Sequence, residues 1–275
     1  MPRIAIFQSR TGIDPQANAA ELVKRIDEAA AGGAEMLFTP EMSGLLDRDS
    51  ERARRNVMRV DEDPVLAACR EAAARAGIWL HLGSLAVSAE GDKFANRGFV
   101  IDSAGEIRAT YDKIHLFDVD LPTGESWRES NVYRGGSEAV VVHGTPVGRL
   151  GLTICYDLRF PALFERLTEA GAEVIAVPAA FTVPTGRAHW QVLLRARAIE
   201  AGVFVIAAAQ CGSHEDGRQT YGHSLLINPW GEIIVDMDET VGLAFAQIDL
   251  GKIAEVRRRI PAIEHRRSVG EAVAR

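Results

Sequence analysis

The sequence Gly33-Ala34-Glu35-Met36-Leu37-Phe38-Thr39-Pro40-Glu41 occurs a second time in related form. The later copy reads Gly171-Ala172-Glu173-Val174-Ile175-Ala176-Val177-Pro178-Ala179. Each copy is a short, mostly apolar run bounded by glycine and proline, which predicts a buried strand. The copies differ at their last position, where the first has Glu41 and the second has Ala179.

Two further segments recur in the same order. Residues 101–107 resemble residues 227–233, and both predict a hairpin with a four-residue turn. The opening strand at 3–8 resembles 149–154. Any α/β protein contains some such echoes by chance, but three in one order favour a duplication. We therefore expect two similar halves whose sheets pack face to face, with helices outside and loops of unequal length.

Runs with strand character alternate with segments of helical periodicity, which is typical of an α/β fold. The predicted strands are residues 4–8, 36–39, 78–87, 94–102, 107–111, 139–142, 148–154, 174–177, 203–209, 224–228, 233–236 and 243–248. The predicted helices are residues 15–31, 64–75, 162–169, 188–201 and 251–259. Pro15 and Pro64 suit the first turn of a helix, and Gly32 and Gly77 suit a helix end.

The composition is that of a folded globular protein, with 47% hydrophobic and 25% charged residues among 275. There is no apolar run long enough to span a membrane, and the strand-like pattern after Met1 leaves no room for a signal peptide. Three cysteines do not form a closed disulfide framework, which indicates a reducing compartment. A net charge of −7 argues against nucleic acid or an anionic membrane as the main partner. We therefore expect a cytoplasmic protein.

Cys155 ends the most hydrophobic predicted strand of the second half, and a turn and a helix follow it. Side chains at the carboxyl end of such a strand face the ligand crevice of an α/β fold. The start of the following helix would lower the pKa of the thiol. Cysteine is also a common small buried residue, so a nucleophile and a core position both remain open.

Three charged residues could accompany this cysteine. Glu41 ends a predicted buried strand, where a lone carboxylate is uncommon, although a helix cap or a salt bridge explains it equally well. Lys113 follows the first hairpin and Glu129 lies between the halves; each alone fits a solvated residue. The segment 114–137 contains Pro122 and three glycines, as expected of either a linker or a functional loop over a site.

The motifs of other enzyme classes are absent from the sequence. There is no phosphate loop, dinucleotide fingerprint, serine-hydrolase elbow or zinc-protease motif, and the seven histidines show no metal-ligand spacing. Cys69 is expected in the core, within a helix. Cys211 follows a predicted strand, and a core and a pocket position both remain open for it.

Together these residues resemble the nitrilase superfamily of carbon–nitrogen hydrolases, over about residues 3–267. The likeness depends on Pro40-Glu41, on Asp112-Lys113-Ile114-His115-Leu116 and on Cys155-Tyr156-Asp157-Leu158-Arg159-Phe160-Pro161. It implies one carbon–nitrogen hydrolase domain over residues 1–275, folded as an α/β four-layer αββα sandwich with two similar β-sheet halves. It also implies a homodimer or higher homo-oligomer, to which residues 257–267 could contribute a contact.

The resemblance further implies a role for each site residue. Cys155 would attack the carbonyl of a small-molecule amide and form a thioester, with Glu41 as general base and then acid. Lys113 and the backbone N–H of Tyr156 would stabilise the oxyanion, and Glu129 would orient Lys113. No metal or organic cofactor is needed.

The second half is most similar to the superfamily group that acts on deaminated glutathione. An arginine would bind a carboxylate of this substrate, and Arg159 is our candidate unless it pairs with Asp157. The loop at 121–125 departs from relatives and could shape the pocket. The residues expected to bind substrate are Arg159, Phe181, Thr182 and His189. An ω-amidase acting on 2-oxoglutaramate or 2-oxosuccinamate is the alternative, followed by a catalytically silent binding protein on the same fold.

Overall fold

Strands and helices alternate along the computed structural model, which describes residues 1–89, 91–120, 124 and 126–274. The strands are β1 (Arg3–Gln8), β2 (Met36–Phe38), β3 (Trp79–Ser88), β4 (Phe94–Ile101), β5 (Ile107–Asp112), β6 (Asp118–Asp120), β7 (Ser126–Arg128), β8 (Tyr133–Arg134), β9 (Val141–Thr145), β10 (Gly148–Leu152), β11 (Val174–Ala176), β12 (Phe204–Ala207), β13 (Cys211–Ser213), β14 (Gln219–Tyr221), β15 (Leu225–Ile227), β16 (Ile233–Asp236) and β17 (Gly242–Gln247). The helices are α1 (Pro15–Ala31), α2 (Ser50–Arg54), α3 (Pro64–Ala76), α4 (Pro161–Glu169), α5 (Val183–Ala201) and α6 (Gly251–Arg259), with 3-10 turns at Glu129–Asn131 and Cys155–Arg159.

The two main sheets have matching strand orders. The first runs β17-β1-β2-β3-β4-β5, with β8 beside β4, and the second runs β9-β10-β11-β12-β15-β16. In each sheet an antiparallel edge strand precedes three parallel strands, and an antiparallel hairpin follows them. The structure therefore contains the two similar halves that the repeated segments predict.

The alternation of side chains along β1 shows how the layers form. Ile4 and Ile6 belong to a core shared with the second sheet, including Leu150 of β10. Ala5 and Phe7 belong to a separate core that includes residues of α1 and α3. The helices α4 and α5 contribute to the core on the second sheet. Since successive residues of a strand face opposite sides, one sheet serves both layers. The predicted four-layer αββα sandwich is confirmed.

The observed ends of some helices and strands differ from the predicted ends, for local reasons. Helix α5 begins at Val183 rather than at residue 188, because Thr182 is extended and Pro184 suits the first helical turn. Strand β10 ends at Leu152 rather than at 154, where the chain enters the turn at Cys155. The short helix α2 and the hairpins β6–β7 and β13–β14 carry too few residues to show a periodicity. In the described part of the chain, no helix has the length and apolar character to cross a membrane.

Candidate active site

Ends of strands from both halves open into one cavity of about 320 Å³. Glu41 follows β2 and Lys113 follows β5, so both come from the first half. Cys155 follows β10 of the second half, and Glu129 comes from the segment between the halves. All four side chains line the cavity. The structure thus brings the four predicted catalytic residues together where the two halves meet.

Cys155 lies on a tight turn. Its φ of 50° is a left-handed conformation that is uncommon for a residue with a side chain. Its N–H donates to the Pro178 carbonyl at 2.9 Å, and the Asp157 carboxylate accepts the Ile154 N–H at 2.9 Å, so both flanks of the turn are fixed. Strain of this kind persists only where the surroundings enforce it, and it is frequent at functional sites.

The pKa of the Cys155 thiol is raised well above its usual value. Burial raises it most, the Glu41 carboxylate raises it further, and Lys113 lowers it. The expected lowering by the following helix is therefore wrong, because desolvation of a buried thiolate outweighs a partial helix charge. The resting group at neutral pH is a thiol, so nucleophilic attack needs a neighbouring base to take its proton.

Glu41 and Glu129 hold Lys113 between them. The Lys113 Nζ lies 3.0 Å from Glu41 Oε1, and 3.0 and 2.8 Å from the two oxygens of Glu129. The ammonium is 2% exposed. Burial lowers the pKa of Lys113, but the charges of Glu129 and Glu41 outweigh that effect and raise it well above the usual value. Lys113 therefore carries a fixed positive charge beside the thiol.

Backbone groups and one amide complete this network. Glu41 Oε2 accepts the Ala180 N–H at 2.9 Å, and Glu129 Oε2 accepts the Phe117 N–H at 2.6 Å. Asn96 on β4 donates its Nδ2 to Glu41 Oε1 at 2.9 Å and to Glu129 Oε1 at 3.4 Å. Asn96 is not among the site residues predicted from the sequence, although an asparagine inside an apolar strand is unusual and was a usable signal.

The predicted substrate-binding residues divide into two groups. Phe181 and Thr182 line the cavity, as does Tyr156. The Arg159 guanidinium lies over the Tyr156 and Phe181 rings, at 5.7 and 5.4 Å from their centroids, and 3.2 Å from Nδ1 of His189. Arg159 and His189 thus stand behind the wall that Phe181 and Tyr156 form.

Two further predictions concern the surroundings of that wall. The alternative pair between Arg159 and Asp157 is not formed among the described residues, since Asp157 accepts from Tyr111 at 2.7 Å and from His115 at 2.7 Å. The loop proposed to shape the pocket falls at 121–125, of which residues 121–123 and 125 lie outside the described residues.

The two remaining cysteines and a cluster of possible metal-ligand atoms lie away from the cavity. Cys69 is fully buried on the core side of α3, as predicted, and Cys211 is buried with its Sγ 3.3 Å from the Glu239 carbonyl. His223, Asp236 and Asp238 place donor atoms within 4.8 Å of one another. The His223 ring already bonds Asp236 at 2.9 Å, so these groups satisfy each other.

The site combines a buried thiol, two carboxylates and an ammonium at the strand ends of an αββα sandwich. A comparison with known protein families agrees with this arrangement. Residues 3–258 match the carbon-nitrogen hydrolase family. The chain belongs to this family, and its predicted place in the nitrilase superfamily is confirmed. The expectation of an enzyme of the amidase class, which hydrolyses carbon–nitrogen bonds, is confirmed as well.

Particular relatives refine the class. The deaminated glutathione amidase of Yersinia enterocolitica is 40% identical over 275 residues, covering 99% of this chain and 95% of the relative. The crystal structure of the C. elegans NitFhit protein has a TM-score of 0.88 and 38% identity over 97% of this chain, which spans 65% of that one. A mutant amidase from Nesterenkonia sp. AN1 has a TM-score of 0.79 and 25% identity, over 94% of this chain and 99% of that one, and shows Michael addition of acrylamide at its active-site cysteine.

Proposed function

We propose that this protein hydrolyses the amide bond of deaminated glutathione through a thioester at Cys155. The observation that carries the chemistry is the buried network of Glu41, Lys113 and Glu129 around one thiol. The substrate follows from the near full-length similarity to a deaminated glutathione amidase. The cavity of about 320 Å³ is of the size that small-molecule sites have.

In the first step, Cys155 attacks the amide carbonyl while Glu41 takes the thiol proton. The raised pKa of Cys155 makes this transfer necessary, because little thiolate exists at rest. Negative charge then develops on the carbonyl oxygen, and the Lys113 ammonium together with the Tyr156 N–H stabilises it. Glu41 passes the proton to the leaving nitrogen, which departs as a neutral amine and leaves an acyl thioester on Cys155.

In the second step, water replaces the amine. Glu41, again a carboxylate, removes a proton from water as it attacks the thioester carbonyl, and the thiol is regenerated when the acid product leaves. Glu129 holds Lys113 in place with two hydrogen bonds, so it acts as a positioning residue. The reaction consumes amide and water and yields carboxylic acid and amine, which requires no metal or organic cofactor.

The acyl part of the substrate is proposed to lie near the nucleophile's own turn. Phe181 and Thr182 would contact it directly. Arg159 would bind its 2-oxo-acid carboxylate, with His189 fixing the guanidinium, after a small rotation of the side chain from behind the Phe181 ring.

A substrate panel tests this function. The purified protein is assayed with deaminated glutathione, 2-oxoglutaramate, N-carbamoyl amino acids and simple nitriles, with Cys155→Ala as the blank. We expect the highest kcat/KM with deaminated glutathione and no turnover above background in the variant. A preference for 2-oxoglutaramate would indicate an ω-amidase instead. Equal turnover by Cys155→Ala would exclude the mechanism.

We also propose that the whole chain acts as one domain in a cytoplasmic homodimer. Cys155 must remain a free thiol, and all three cysteines are free, which suits a reducing compartment. Helix α5 exposes Val192 and Ile199 on one face, and Trp230 and Ile260 are exposed as well. An apolar surface of this kind suits a subunit contact. Sedimentation of Val192→Asp and wild type tests it, since the variant is expected to be monomeric.

A further inference from the structure

One wall of the cavity consists of three aromatic rings that lead away from the nucleophile. Tyr156, next to Cys155, packs edge-on against Phe117, with ring centroids 5.1 Å apart. Phe117 packs in turn against Trp127, with centroids 6.4 Å apart. All three residues line the cavity. A substrate attached at Cys155 thus has an apolar track along which its remaining part can lie.

Arginines stand at both ends of this aromatic wall. At the near end, Arg159 lies 5.7 Å from the Tyr156 centroid. At the far end, the guanidinium groups of Arg48 and Arg218 lie 5.9 and 5.2 Å from the centroid of Trp127. Arg48 and Arg218 also line the cavity. Two ring contacts, with centroids 5.1 and 6.4 Å apart, thus connect the ring beside Arg159 to the ring beside the far arginines.

The described residues neutralise only part of the positive charge at the far end, since one of the two arginines is paired with a carboxylate and the other is not. Among the described residues, the Arg48 side chain has no carboxylate partner, and Arg218 uses only its Nε, which bonds Asp216 at 2.7 Å. Asp216 also accepts the backbone N–H of Arg48 at 2.9 Å, so one carboxylate holds the Arg218 guanidinium and the main chain at Arg48. The nearby Asp47 is already paired with Arg52 through two bonds of 2.6 and 2.8 Å.

We propose that Arg48 and Arg218 bind a carboxylate on the leaving-group side of the substrate. The proposal rests on the proposed function, because deaminated glutathione has one carboxylate on its 2-oxo acyl part and another at the end of its cysteinylglycine part. The acyl part remains on Cys155 as the thioester and stays near Arg159. The leaving part then extends along Phe117 and Trp127 and places its terminal carboxylate between the two far arginines, which bind it through paired N–H groups.

A matched pair of substrates tests this site. Deaminated glutathione is compared with its C-terminal carboxamide, which lacks only the terminal charge. We expect wild type to prefer the acid by about 10- to 100-fold in kcat/KM, since that is the range of charge-assisted hydrogen bonds. The preference is expected to fall by about 10-fold in Arg48→Gln and in Arg218→Gln. Arg59→Gln is the control, because this exposed arginine is paired with Asp61 and is not among the residues that line the cavity.

The outcome separates this proposal from the proposed function. An unchanged preference in both variants, or an equal loss in Arg59→Gln, would overturn the proposal. Calorimetric titration of the acid and the carboxamide into Cys155→Ala measures binding without turnover. If Cys155→Ala binds the acid more tightly than the carboxamide but wild type hydrolyses neither, the anion site is supported and the proposed reaction is rejected. If wild type hydrolyses deaminated glutathione but the acid and the carboxamide bind equally, the reaction is supported and the anion site is rejected.

Discussion

The ends of β2 and β11 occupy equivalent places in the two halves, but only one of them carries an ionisable group. After β2, Pro40 is followed by Glu41, which is buried in a network with Lys113. After β11, Pro178 is followed by Ala179, which is fully buried and forms an isolated parallel β-bridge with Ala209. The second half contributes a backbone donor here instead, the Ala180 N–H that bonds Glu41.

The ends of β1 and β10 are also equivalent, but here the second half carries the ionisable group. After β10 the chain places the strained Cys155 in the cavity. After β1, the Ser9 hydroxyl and the Thr11 N–H both bond the Gln210 side chain, at 2.9 and 3.1 Å. Gln210 also donates to the Glu41 carbonyl at 2.9 Å. A duplicated scaffold thus supplies two pairs of equivalent corners, and different residues at each pair give one asymmetric site with a thiol facing a carboxylate.

The largest effect is expected from replacing the carboxylate that distinguishes the β2 corner. Glu41→Gln keeps the shape of the side chain but removes the base, so kcat should fall by about 10³-fold or more. Steady-state hydrolysis of deaminated glutathione measures the change. Ser9→Ala, at the non-catalytic corner after β1, is the control and should retain activity within about 3-fold. Comparable losses in both variants would indicate damage to the fold and not loss of the base.

The same variant tests the base through the reactivity of the thiol at neutral pH. Removing the Glu41 charge should lower the pKa of Cys155, since that charge raises it. A thiol governed by ionisation alone would then react faster, whereas a thiol that depends on Glu41 as base should react about 10-fold more slowly. Alkylation of Cys155 by iodoacetamide is followed by mass spectrometry. Cys69, whose pKa burial raises to about 12, is the internal reference. Faster alkylation would contradict the assignment.

The next effect concerns the ammonium that links the two carboxylates. Lys113→Met should lower kcat by about 10²- to 10³-fold, because an oxyanion donor is lost. It should also destabilise the protein by about 3–5 kcal/mol, since Glu41 and Glu129 are left buried without a counter-charge. Urea unfolding measures this second loss. Lys93→Met is the control, because Lys93 is exposed and, among the described residues, bonds only the backbone carbonyl of Ser130. A stable but inactive Lys113→Met would show that the network is not needed for folding.

A smaller effect is expected at the amide that bridges the carboxylates. Asn96→Ala should lower kcat by about 10-fold with little change in KM, because Asn96 holds Glu41 and Glu129 without touching the reacting atoms. Asn96→Asp, which places a third carboxylate in the network, should be worse than alanine. An unchanged kcat in Asn96→Ala would mean that Asn96 only fills space.

The smallest expected effect tests how closely the halves approach each other. A side-chain carbon at Gly83 of β3 would overlap the carbonyl oxygens of Thr39 and Pro40 and lie 2.6 Å from Pro178. Gly83→Ala should therefore destabilise the protein by about 1–3 kcal/mol. Thermal unfolding measures the loss, and Gly270→Ala is expected to be neutral, because no atom of the described residues lies within 4 Å of a Cβ built at that position. A stability equal to wild type would show that the two strand ends can separate.

The sequence determined most of the strands and helices and the presence of two similar halves, and its resemblance to the nitrilase superfamily supplied the four residues at the cavity. Apolar periodicity, prolines at helix starts and the repeated glycine-to-proline runs are local features, so they can be interpreted without coordinates. The same features did not reveal Asn96, because an asparagine's role depends on which groups lie across the sheet from it.

Only the tertiary structure decided how the halves combine and what that does to each charge. The sequence predicted that the pKa of Cys155 is lowered, and this prediction was wrong because desolvation depends on every atom packed around the thiol. Arg159 was the arginine that the motif suggested, while Arg48 and Arg218 reach the cavity from segments far apart in the chain. Local pattern fixes the elements, but burial and pairing are through-space quantities, and these set the chemistry of the site.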